Sequence, residues 1–173
     1  DVADKYVDAA REFAQLFAEN DFDLVWGGTD RGLMKVVADS VKARGGKIYG
    51  ITMKLLEDRS RQDADEMLVA GDIGIRKALM LEKADALAVL VGGLGTLDEL
   101  MGVLELKKHK VHQKPIVVLN TDNFYKGLMM QLEEMSEKGF IASNLGDMVY
   151  FANSAKDAVS YLNRALKPYK SHT

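Results

Sequence analysis

The stretch Ala88 to Leu100 reads AVLVGGLGTLDEL and holds the parts of an anion site. An apolar run ends at Val91, Gly92, Gly93, Gly95 and Thr96 follow, and the acids Asp98 and Glu99 come next. Glycines at a strand end let backbone amides approach a phosphate that a side chain would hold off. The free N–H groups and dipole of a helix start favour the same charge. The competing reading is a tight turn that needs glycine only for backbone shape, although three glycines and a hydroxyl exceed what a turn requires. Glu99 is open between two roles. Thr96-Leu-Asp-Glu99 spells a capping box, in which Thr96 caps the helix and Glu99 reaches back to its amide. Spacing favours that cap and cannot exclude a catalytic carboxylate.

A second glycine loop, WGGTDRGLM, spans Trp26 to Met34 and also joins a strand end to a helix start. Gly27 and Gly28 are the candidate ligand contacts there, against the same turn alternative. Trp26 can stack on a base or sit buried at the strand end, and burial is the commoner fate. Arg76-Lys77 lies early in a helix, where the dipole disfavours a cation. An anion or a carboxylate opposite Arg76 would offset that cost; the plain alternative is solvated surface charge.

Both loops fail the better-known nucleotide fingerprints. Gly27 to Gly32 has P-loop spacing, but Leu33-Met34 stands where Lys-Ser/Thr is needed. The pattern G-x-G-x-x-G fails at Asp98 in one loop and at Thr29 in the other. An acid aimed at a pyrophosphate would repel it, which points to a monophosphate.

The elements that must place these residues alternate along the chain. Helical periodicity runs from Val2 to Phe17, over Leu33–Arg44 with Gly45-Gly46 as its stop, over Ile73–Lys83, Thr96–His109, Phe124–Lys138 and Ala155–Leu166. Short apolar runs predict strands at Leu24–Trp26, Lys47–Thr52, Glu66–Val69, Asp85–Val91, Pro115–Asn120 and Met148–Phe151. Met53–Asp65 is polar and reads as a surface loop or short helix. Strands alternating with helices imply a single doubly wound α/β domain, Rossmann-like, with a parallel sheet covered on both faces. Ligands then gather at the carboxyl ends of the strands. The chain opens on a helix, so a first strand is expected to be missing.

Composition narrows the function classes. The 173 residues suit one domain with a real core. A net charge of −3 nominates neither nucleic acid nor an anionic membrane as partner. No apolar run reaches the roughly 18 residues of a membrane span, and no signal peptide opens the chain. Cysteine is absent, which removes disulfides and thiol chemistry and fits a cytoplasmic setting. His109 and His112 lie close together but read as helix C-terminal charge and loop, not as a metal site.

Together these residues resemble the LOG family, cytokinin-activating nucleoside 5′-monophosphate phosphoribohydrolases often mislabelled lysine decarboxylases. Its signature P-G-G-x-G-T-x-x-E is matched by Val91 to Glu99 at every fixed position except the first. The family's R-K pair falls on Arg76-Lys77, and its Y-G-G-G-x-x-G-L-M-G falls on Trp26 to Lys35. KPIVVLN and DNFYKGL also follow the family. The likeness covers essentially the whole chain, one domain over residues 1–173, with the family's first strand lying before Asp1.

The resemblance implies hydrolysis of a nucleoside monophosphate such as AMP, or its N6-substituted form, to free base and ribose 5-phosphate. It implies that Gly92, Gly93, Gly95 and Thr96 hold the 5′-phosphate, that Arg76 and Glu99 form the catalytic pair, and that no metal or cofactor is needed. A decarboxylase using PLP would demand a dedicated pocket that the sequence does not display. The family also implies a homodimer, for which Met101, Val103, Leu104 and Leu106 offer apolar surface. Val91 replaces the motif proline, Thr29 a glycine, Lys35 another, and Gly74 stands where relatives commonly carry histidine. The competing class is a protein that binds a phosphorylated ligand without cleaving it.

Overall fold

The computed structural model describes residues 2–141 and 144–170. Two compact units divide the chain, Asp1–Ala84 and Asp85–Thr173. Each carries a three-stranded, all-parallel sheet. The α/β class and the parallel pairing are as expected, but the strands pair as two separate ladders. Hydrophobic periodicity locates a strand and is silent about its neighbour.

In the first unit, helix α1 (Asp4–Glu19) packs on α2 (Gly32–Ala43). Its buried face is Ala10, Phe13, Ala14 and Ala18. Small residues on a helix face allow close approach. Strand β1 (Leu24–Trp26) pairs with β2 (Ile48–Met53), and β2 with β3 (Glu66–Ala70). The predicted Gly45-Gly46 stop of α2 is a Schellman motif. Gly45, at φ 81°, donates its amide to Lys42, and the Gly46 amide bonds the Val41 carbonyl at 3.1 Å. The polar segment after β2 forms a 3₁₀ turn over Lys54–Arg59. Helix α3 covers Ile73–Lys83, capped by the Asp72 side chain, which accepts from the Ile75 amide at 2.8 Å.

In the second unit, β4 (Leu87–Val89) pairs with β5 (Ile116–Leu119), and β5 with β6 (Tyr150–Ala152). All four residues of β5 are buried, the mark of a central parallel strand. Helix α4 (Leu94–Lys108) sends Leu100 and Leu104 into a core with Ile116, Val118, Tyr125 and Leu132. Helices α5 (Lys126–Glu137), α6 (Leu145–Met148) and α7 (Ala155–Lys170) follow, and α7 packs on β5 and β6. The Lys107 ammonium, at the end of α4, donates to the Lys114 carbonyl at 3.1 Å and the Met148 carbonyl at 3.0 Å. His112 is buried. Its Nε2 donates to the Val103 carbonyl at 2.9 Å, and its Nδ1 accepts the Lys114 amide at 3.2 Å.

Four expected boundaries are corrected here. The strand expected over Asp85–Val91 is only Leu87–Val89, and α4 begins at Leu94 rather than at Thr96. Met148 closes α6, so the last strand starts at Tyr150. The helix expected from Phe124 begins at Lys126, after a 3₁₀ turn over Thr121–Asn123 in which Asp122 and Asn123 both have positive φ. Of the apolar residues on α4, Leu104 is buried and Val103 packs against the core; Met101 and Leu106 are exposed. Among the described residues no helix is long and apolar enough to cross a membrane.

Candidate functional site

In the first unit, the glycine loop after β1 is held by the protein itself. Its Gly28 carbonyl accepts the Arg61 amide at 2.8 Å, the Asp30 amide bonds the Arg59 carbonyl at 2.9 Å, and Thr29 pairs with Ser60 in an antiparallel bridge. The Arg61 guanidinium, almost wholly buried, gathers the carboxylates of Asp39, Asp63 and Asp30. That partner holds the Asp63 carboxyl down to about 2. Trp26 is buried at the strand end, and its indole N–H lies 3.4 Å from the Thr29 carbonyl.

The two glycines that open this loop have internal causes. A Cβ at Gly27 would fall on the Arg76 guanidinium. One at Gly28, where φ is +74°, would lie 2.9 Å from the Met67 sulfur. Met67 also fills the space above Gly50. Arg76 itself is 7% exposed, and its Nε donates to the Ile51 carbonyl of β2 at 2.8 Å. It is the buried residue of a helix whose neighbours Ile73 and Ile75 are exposed. Surface solvation, the plain alternative for this cation, does not hold. Lys77, next along α3, is half-buried.

The second unit carries the AVLVGGLGTLDEL loop. After β4 the Leu90 carbonyl accepts the Tyr125 hydroxyl at 2.7 Å. Gly93 takes the N-cap position of α4 in extended backbone, with no side-chain cap, and the Leu97 amide is bonded to the Gly93 carbonyl at 3.1 Å. The amides of Leu94, Gly95 and Thr96 therefore form the open first turn of a helix of 15 residues. Thr96 lies inside that turn and not before it, so the expected capping box does not form. Glu99, partly buried, sits in the second turn. The chain leaves the strand two residues earlier than the apolar run suggests, and the whole helix start moves with it.

The glycines of this loop differ from one another. A Cβ on Gly92 would fall on the Thr96 hydroxyl, so Thr96 folds back over Gly92. Gly93 and Gly95 have no positive φ, and a Cβ on either would meet nothing within 4 Å. Leu94 between them is 86% exposed. A cleft of about 350 Å³ adjoins the loop, with Gly92, Gly93 and Leu94 on one side and Phe124, Gly127 and Leu128 on the other. Phe124 is 45% exposed and meets the Tyr125 ring edge-on, with centroids 5.0 Å apart. Thus Gly92, Gly93, Gly95, Thr96 and Glu99 share one loop and helix, while Gly27, Gly28, Arg76 and Lys77 belong to the first unit. Tyr125 was not legible as part of the loop; its only signal was the DNFYKGL run. Among the described residues no group of three or more His, Asp or Glu could hold a metal ion.

Parallel strands, crossover helices and a glycine loop opening a helix at a strand end define a Rossmann-like α/β protein. The chain belongs to the LOG family. The family described as "Possible lysine decarboxylase" matches residues 34–162. The cytokinin riboside 5′-monophosphate phosphoribohydrolase LOG4 of Arabidopsis thaliana is 34% identical over 159 residues, covering 91% of this chain and 74% of that protein. The probable phosphoribohydrolase LOG6 of the same plant is 32% identical over 167 residues, covering 95% and 83%. Among solved structures, the molybdenum cofactor binding protein of Rippkaea orientalis superposes with a TM-score of 0.74 at 21% identity, over 96% of this chain and 91% of that one. The Moco carrier protein of Chlamydomonas reinhardtii gives 0.74 at 21% identity, over 97% and 91%. These last two likenesses concern the fold.

Proposed function

We propose that the protein hydrolyses the N-glycosidic bond of a nucleoside 5′-monophosphate, AMP or an N6-substituted AMP, releasing free base and ribose 5-phosphate. One observation supports this above the others: Gly95 has no positive φ, and a Cβ there would meet nothing within 4 Å, so the described residues give no reason for glycine at that position. Glycine inside a helix is less stable than alanine by roughly 0.5–1 kcal/mol, and Gly95 is inside α4. A phosphate seated on the amides of Leu94, Gly95 and Thr96 supplies the missing reason, since a side chain would fill the space it occupies. Gly92 contributes by leaving room for Thr96.

Glu99 lies four residues beyond Gly95, on the same helix face and about 6 Å further along the axis. That is the scale of a ribose between its 5′-phosphate and its anomeric carbon. There the carboxylate would stabilise the oxocarbenium-like ribosyl cation and orient a water. The water oxygen bonds C1′ as the bond to the base nitrogen breaks, one water proton is lost, and the base departs carrying a proton. The family resemblance makes Arg76 the other member of the catalytic pair, and its planar fork suits phosphate or ribose oxygens. Gly27 acts through Arg76, by leaving space for its guanidinium.

Incubation with a panel of nucleoside 5′-monophosphates, followed by chromatography for free base, tests this reading. Base released from AMP or its N6-substituted forms is the expected result. The second reading, a binder or carrier, draws on the departures at Val91, Thr29 and Gly74, and on fold neighbours named for binding or carrying the molybdenum cofactor. Tight binding of nucleotides with no base released would leave that reading alone.

A further inference from the structure

The Tyr125 phenol holds the glycine loop just before Val91. Its hydroxyl donates to the Leu90 carbonyl at 2.7 Å. The ring is 2% exposed and belongs to the core of the second unit. Its backbone is set in turn by Asn120 at the end of β5, whose buried side chain accepts the Tyr125 amide at 2.8 Å. The Asn120 amide is bonded to Ala152 of β6 at 2.8 Å. Between Asn120 and Tyr125, Asp122 and Asn123 take left-handed backbone, which these two residue types tolerate best after glycine. The phenol is therefore anchored through β5 and β6, independently of the loop it holds.

The loop's own backbone lacks a restraint at this point. A proline at position 91, as the family signature has, would lock its φ near −65° and confine the residue before it to extended backbone. Valine does neither as strictly. Tyr125 fixes the same short segment by its hydrogen bond to the carbonyl before Val91. The anion-facing donors are then the amides that begin α4.

We infer that Tyr125 is the positioning residue of the phosphate loop, holding Leu90 to Gly92 in the geometry that presents the first-turn amides of α4. This rests on the phosphate reading of the loop given above. Calorimetric titration with ribose 5-phosphate, using wild type, Tyr125→Phe and the double variant Tyr125→Phe/Val91→Pro, tests it. Tyr125→Phe is expected to bind roughly three- to tenfold more weakly, the range for one lost hydrogen bond. Val91→Pro is expected to restore most of that loss, a rescue that general destabilisation would not show.

Wild-type binding with Tyr125→Phe equal or tighter would overturn the role of Tyr125 and leave the phosphate reading standing. So would a loss that proline does not rescue. No binding by the wild type would overturn both. Should Tyr125→Phe fail to fold, exchange of the Tyr125 hydroxyl proton in the wild-type protein decides: slow exchange is expected, and exchange at the rate of a free phenol overturns the proposal.

Discussion

Gly27 and Arg76 contend for one volume: the space a Cβ would take on Gly27 is filled by the terminal nitrogen of the Arg76 guanidinium. The guanidinium is held there by its Nε bond to Ile51. Gly27→Ala should therefore displace Arg76 and destabilise the protein by about 1–3 kcal/mol, the usual cost of overpacking. Base release from AMP should fall far more than stability predicts. Thermal unfolding and the chromatographic assay, run on the same preparation, check the two effects; normal turnover would separate Gly27 from Arg76.

Gly95 should show the opposite balance. With open space beyond it and ordinary helical backbone, Gly95→Ala is expected to stabilise the protein by about 0.5–1 kcal/mol. The added methyl stands where the phosphate is proposed to sit, so affinity for ribose 5-phosphate should drop. Denaturant unfolding with calorimetric titration reads both. A variant that is more stable and binds as well as wild type would remove Gly95 from the cradle.

Glu99→Gln separates chemistry from capping. Thr96 lies within the first turn of α4, so Glu99 has no capping box to complete. Loss of a structural contact alone would lower stability, by about 1 kcal/mol for a cap, and leave turnover intact. Turnover should fall by about a hundredfold or more, the scale of removing a group that stabilises transition-state charge. Full activity with a lowered melting temperature would reverse the assignment.

His112 should make stability depend on pH. Burial holds its pKa below the usual 6.5, and both ring nitrogens are used in the neutral form, Nε2 to Val103 and Nδ1 from Lys114. Protonation at Nδ1 would break the second bond. The unfolded chain takes the proton first, so this contribution is complete above about pH 6.5. It is lost as pH falls through the folded value. Urea unfolding from pH 8 to 5 should show wild type losing stability below pH 6.5 relative to His112→Gln; parallel curves would contradict it.

Much of this molecule was legible before its fold. Leu24–Trp26 and Ile73–Lys83 were delimited to the residue, because each is bounded by strong punctuation: Asp-Phe-Asp and Gly-Gly around the strand, Gly-Asp before the helix. The start of α4 was not, because Thr96 carries the local signature of a cap while a distant tyrosine captures the Leu90 carbonyl. Local propensity has no access to a partner 35 residues away. The glycines were read as turn or ligand contacts, yet Gly27, Gly28 and Gly92 answer to Arg76, Met67 and Thr96, whereas a Cβ on Gly93 or Gly95 would meet none of the described residues. That distinction lies in tertiary contacts.

Lys107 gives the far end of α4 a different character. One ammonium bonds carbonyls on the loop before β5 and at the close of α6. These three segments share a single lock, so they should open to solvent together, as one exchange unit, and not fray one by one. With its last turn locked in this way and Tyr125 gripping the residues before its first, α4 is a beam clamped at both ends. It has little freedom to slide or rotate toward a ligand, and an anion arriving at its amides meets a surface already in place.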